Sequence, residues 1–161
     1  VAPEIVIGDG AKGIFQAVAT NSIRVGKRCS LDYPSALIVD ERATEAGAPM
    51  DGPNIEMGPE SYVKGVVRYS GGNGTAHVYP QISIGEGATV IGEIYCERTL
   101  ELQGQVVGSV TTNAFMARAN GSTYMNHLYN GSIDAISLPK QFTGLSTEGN
   151  ERTKAVCKWL Y

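Results

Sequence analysis

Leucine is scarce in this chain: 8 residues of 161, beside 14 Val and 12 Ile. Leu and Ala fill helices, whereas β-branched residues are stiff at χ1 and suit pleated surfaces. The ratio argues against a helix bundle and predicts many short strands. Charge of one sign is also lacking, with 13 basic against 16 acidic residues and no run of either. A nucleic-acid binder needs a basic stripe, because phosphate neutralisation supplies most of its affinity; none is visible, so no nucleic-acid partner is expected. Long hydrophobic runs are missing as well. The longest, such as Ala36-Leu37-Ile38-Val39, are far too short to cross a bilayer. Yet 42% of the residues are apolar, too many for a disordered chain, and the length suits one domain.

Cysteine is sparse and odd in number. Cys29, Cys96 and Cys157 are too far apart for a zinc ligand pair or a dense disulfide framework. They read as buried or idle thiols, with one disulfide plus a spare thiol as the other reading, which would fit an oxidising compartment. The first residue is Val1 and not Met, which leaves room upstream for a signal peptide or membrane anchor.

Glycine is abundant, at 20 residues, and it is patterned. The motif apolar-x-Gly-x-apolar occurs five times, centred on Gly13, Gly65, Gly92, Gly108 and Gly131. Its flanking residues include Val90, Ile94, Val106 and Val110. A second motif, apolar-x-apolar, occurs at Ile5/Ile7, Ile23/Val25, Ile55/Met57, Ile82/Ile84 and Leu100/Leu102. Ile5 to Ile23 is 18 residues, and so is Ile82 to Leu100. Alternation sends every second side chain inward, and Gly permits a sharp bend. The spacing predicts a single-stranded, three-sided parallel β-helix in which stacked turns bury one another's apolar faces. An antiparallel sandwich sharing a Gly-x-Val preference is the alternative fold.

Three polar, Gly-rich stretches interrupt the period and read as insertions at 40–54, 68–81 and 119–126, the second as a hairpin. The repeat region spans 1–146. Residues 147–161, with the single tryptophan, Trp159, read as a C-terminal cap or tail over an open end, with a short helix as one reading of it. The Asn-Gly pairs at 73, 120 and 130 match the glycosylation acceptor pattern but read as corners or hairpin tips.

The stretch Ile82 to Val110 (ISIGEGATVIGEIYCERTLELQGQVVGSV) resembles the bactofilins, polymer-forming bacterial proteins. The match is closest at Val90 to Ile94, Leu100 to Leu102 and Val106 to Val110. Tyr124 to Leu145 and Tyr33 to Leu37 resemble a group of membrane-anchored bacterial proteins carrying such a domain. The resemblance implies a right-handed β-helix without an enzymatic site, assembling with itself or scaffolding other proteins at the cell envelope. The cytoplasmic face stays open, since bactofilins themselves work there. The insertions and the long tail depart from the bactofilin pattern.

Ile84 to Ile94 also resembles two hexapeptide repeats of the left-handed β-helix acyltransferases, which use a histidine as general base. Neither His77, in the second insertion, nor His127, in the third excursion, follows the repeat as such a base would. Asp32, Asp40, Glu41 and Arg42 are the nearest group to a lyase-like calcium site, and they sit at the edge of a polar loop. No nucleophile elbow or phosphate loop occurs. Exposed tyrosines offer rigid amphipathic contact area, so Tyr62, Tyr69 and Tyr79, with His77, form the candidate binding surface; Tyr124 and Tyr129 lie near the third insertion. The expectation is a non-enzymatic scaffold with protein partners, either itself or an envelope protein. No metal or other cofactor is expected, and membrane contact only through an upstream anchor. The alternatives are a hexapeptide acyltransferase and a carbohydrate-binding module.

Overall fold

The computed structural model describes residues 1–41, 51–71, 79–119, 121–140, 142 and 144. Among them the regular structure is β throughout. The strands are β1 (Ala2–Ile7), β2 (Lys12–Gly13), β3 (Gln16–Val25), β4 (Ser30–Asp40), β5 (Ile55–Met57) and β6 (Tyr62–Ser70). They continue with β7 (Ile82–Ile84), β8 (Thr89–Leu102), β9 (Gln105–Ala119), β10 (Ser122–Met125) and β11 (Ser132–Asp134). All eleven belong to one sheet. Its pairings are parallel except that of β10 with β9, which makes a hairpin.

The expected open, three-sided coil is not what forms. Strands β3, β5, β7, β8, β6 and β4 pair in that order, and β3 pairs back to β4. The ring closes as a six-stranded parallel barrel, with β1, β2, β9, β10 and β11 outside it. The reason lies in strand length. The composition predicts many short strands, but β8 runs 14 residues and β9 runs 15 without a break. A long strand bends and serves two neighbours. The first half of β3 pairs with β4 and its second half with β1 and β5, which joins the ladders into a closed path.

Parallel register stacks like on like. Ile5, Ile23, Ile55, Ile82, Leu100 and Phe115 form one column, and Ile7, Val25, Met57, Ile84 and Leu102 a second. Leu31, Val63, Val90 and Val106 form a third, and Ala17, Leu37, Val67, Ile94 and Val110 a fourth. Most are buried, with Ile5, Val110 and Phe115 only partly so. Each fully buried Ile, Leu or Val contributes about 1.5–3 kcal/mol. β-Branched residues facing outward, such as Val18, Ile38, Val66 and Ile91, are half-buried. The tight turns stack too, with Gly10, Arg28, Glu60 and Gly87 all at positive φ.

Of the three insertions, residues 42–50 and 72–78 lie outside the described residues, His77 among them. Asn120 also lies outside, but Gly121 occupies the β9–β10 turn at φ +75°. The tail 147–161, with Trp159 and Cys157, lies outside as well. Cys29 and Cys96 are buried free thiols.

Candidate functional site

The five Gly-centred motifs separate into two kinds. Gly65, Gly92 and Gly108 pair in register on β6, β8 and β9, below Ser35 of β4. Each holds φ between +142° and +149°. A Cβ on Gly92 would lie 2.0 Å from the Gly65 carbonyl oxygen, and one on Gly108 only 1.8 Å from that of Gly92. The backbones therefore approach closer than any side chain allows. Gly13 pairs with Leu31 and so occupies the Val63 column instead, while Gly131 precedes β11 and stands over Leu102. These two share the motif but not the stack.

A strap crosses the glycine column from outside. The Asp134 carboxylate accepts from the Ser137 hydroxyl first, and then from the Ser137 and Ile136 amides, which holds it below the usual carboxylate range and starts a turn. Farther on, the Phe142 amide donates to the Pro139 carbonyl, and the Phe142 ring lies over Gly92. Tyr33 meets that ring edge-on at 6.1 Å. Tyr33, Lys64, Ile91, Pro139 and Phe142 enclose an apolar groove of about 260 Å³. Lys64 stands 5.2 Å from the Tyr62 ring and 3.6 Å from Asp32. Tyr62 first, and then Asp32, hold its ammonium above the ordinary range.

The tyrosines do not form one surface. Tyr62 is half-buried on the outer face, and Tyr79 carries Arg118 over its ring at 5.2 Å. Tyr69 is wholly buried, so it takes no part in an exposed face. Its parity with Val63, Gly65 and Val67 along β6 already points it inward. Its hydroxyl donates to Glu41 at 2.7 Å, and Asn54 donates to the same carboxylate at 2.5 Å. The core thus holds both flanks of segment 42–50. Burial, and then the Glu41 carboxylate, push the Tyr69 phenol up.

Burial also pushes the Cys96 thiol up, from 9.0 to about 11. The folded chain holds that proton more tightly than the unfolded chain does. Its contribution is therefore complete below the unfolded pKa and lost as pH rises through the folded one. Denaturant titrations should show stability falling by about 2–3 kcal/mol between pH 9 and 11 from this thiol. Cys96→Ala should remove that part of the decline and leave the part due to Tyr69, which sets in at higher pH.

His127 is exposed, with Nδ1 2.8 Å from the Met125 carbonyl, and it faces no carboxylate or hydroxyl partner among the described residues that would make it a base. Asp32 is exposed against Lys64, and Glu41 turns toward Tyr69, so these acids do not converge. No three His, Cys, Asp or Glu side chains among the described residues are grouped to hold a metal. No described helix is long and apolar enough to cross a membrane.

One open strand edge lies at the N-terminal side, as others do at β10 and β11, which pair only with β9 among the described residues. Among the described residues β1 pairs only with β3, and β2 only with β4, which leaves their other edges unpaired. Around them Val6 is 74% and Ile14 58% exposed. Ile5, Val6, Ala11 and Phe15 line a shallow recess of about 380 Å³. Lys12 and Glu4 add both signs of charge beside it. The apolar-x-apolar motif marked Ile5 and Ile7 as inward; the apolar residue between them, Val6, was the signal for this outer face. No family model, curated protein or solved structure matches the chain.

Proposed function

We propose that this chain is a non-enzymatic structural module that acts by association through the β1/β2 edge, with a second copy or an envelope protein as partner. The observation that carries this reading is the pair of strands with one unpaired edge each among the described residues, flanked by exposed Val6 and Ile14. An open edge presents backbone donors and acceptors that another strand satisfies. Exposed β-branched side chains beside it add apolar area on pairing. The edge carries Glu4 and Lys12, so a like edge is charge-compatible when opposed. Association is also what the bactofilin-like stretch Ile82 to Val110 implies, and an envelope setting goes with the same resemblance. Sedimentation over a concentration series, for the native chain and for Val6→Lys with Ile14→Lys, tests the proposal.

A further inference from the structure

Between β10 and β11 the chain follows no regular path, and Asn130-Gly131 is the last step before the β11 ladder begins at Ser132. Asparagine is a chemically labile residue. The backbone nitrogen that follows it can attack its side-chain carbonyl, because a small, unstrained ring closes. Three conditions decide where this happens. The carboxamide must be exposed, the following nitrogen must be unshielded, and the chain must be free to turn about the Cα–C bond between them.

Asn130 meets all three. Its side chain is exposed and makes no hydrogen bond to any described residue. Gly131 has no Cβ to block the approach, and its amide donates to no carbonyl among the described residues. The other described asparagines each fail a condition. Asn54 is buried, and its carboxamide donates to the Asn21 carbonyl and to Glu41. The nitrogen after it belongs to β-branched Ile55 and donates to the Gln81 carbonyl. Asn21 lies within β3 and Asn113 within β9. Asn126 is the sharpest comparison. It is exposed, and its φ of +59° matches the +58° of Asn130, but His127 and not Gly follows it. Asn73 and Asn120, which also precede Gly, lie outside the described residues.

We infer that Asn130 is a self-modification site whose conversion loosens β11. The Gly131 nitrogen gives its proton to solvent and bonds to Cγ of Asn130; the Cγ–Nδ2 bond breaks and ammonia leaves. Water then opens the resulting succinimide at either carbonyl, giving aspartate or isoaspartate. In isoaspartate the main chain runs through Cβ and is one carbon longer at the step into β11. That strand is held by Ser132, Ile133 and Asp134 pairing with Gln105, Val106 and Val107. Gly131 is pressed against the Leu102 carbonyl, where a Cβ would lie at 2.4 Å. A lengthened chain cannot keep that contact and the ladder together. The site lies apart from the β1/β2 edge, so it does not depend on the association proposed above.

Prolonged incubation of the native chain in mildly alkaline buffer is the test, read by peptide mapping and enzymatic methylation of isoaspartate. Isoaspartate should accumulate at position 130 and not at 54 or 126. Its rate should rise with pH, because the nitrogen attacks after losing its proton. Asn130→Gly keeps the left-handed φ without strain and removes the carboxamide, so the signal at 130 should vanish. In the converted fraction the amides of residues 132–134 should exchange hydrogen about tenfold faster than in the fresh chain. The inference is overturned if the native chain stays unconverted at 130, or if Asn126 converts as fast as Asn130. It is equally overturned if the β11 amides of the converted chain exchange as slowly as those of the fresh one.

Discussion

Gly92→Ala should destabilise the fold by roughly 4 kcal/mol or more, enough to remove a cooperative native transition at ordinary temperatures. Two independent effects act together. The backbone sits at φ +142°, a conformation that L side chains rarely adopt. The added methyl would also lie 2.0 Å from the Gly65 carbonyl oxygen and 2.7 Å from the Phe142 ring. A ring can shift, but a carbonyl paired into the neighbouring strand cannot do so without breaking the ladder. Gly10→Ala is the control. Gly10 is also left-handed, at φ +69°, yet a methyl group there would meet nothing within 4 Å. It should cost about 1 kcal/mol. Thermal and denaturant unfolding of both variants separates conformational strain from steric exclusion.

The second large effect belongs to the isoleucine column. Ile82 is wholly buried between Ile55 and Leu100, with a stacked neighbour on each side. Ile82→Ala would leave a cavity that flanking strands cannot close, because each is fixed by its own ladder. The expected loss is about 3–4 kcal/mol. Ile5 heads the same column but is only partly buried, with a paired neighbour on one side. Ile5→Ala should cost about 1 kcal/mol. Denaturation midpoints at constant slope would show the gradient from end to middle. Equal losses at both positions would contradict the stacked core.

Much of that core is legible before folding. Alternation identifies Ile23, Ile55, Ile82 and Leu100 as inward. The constant spacing stacks Ile82 on Leu100, because parallel register with a fixed step does nothing else. The same parity places Tyr62 outside and Tyr69 inside, although abundance of tyrosine near one insertion reads superficially as a surface. Closure of the ring is not legible. It depends on β3 and β8 bending through their length, and a local pattern of alternation does not distinguish one long bent strand from two short ones. The glycine motif fails in a related way. Gly13 and Gly65 have the same neighbours in type, but through Leu31 of β4 Gly13 aligns with Val63, two residues before Gly65. Only pairing tells which glycines stack. The Phe142 strap is invisible for a third reason, since it arises from a long-range contact with Tyr33 and Gly92 that no periodicity encodes.

The central functional claim is that the unpaired β1/β2 edge is where the molecule associates. Sedimentation velocity over a wide concentration series tests it most directly. The native chain should shift to a larger species as concentration rises. Val6→Lys with Ile14→Lys should remain monomeric at the same concentrations, because each places a charge on the edge that pairing would have to desolvate. If the partner is an envelope protein, the native chain should form a larger species with that protein, and the double variant should not. A native chain that stays monomeric alone and with envelope extract, or a double variant that associates as the native chain does, would contradict the account.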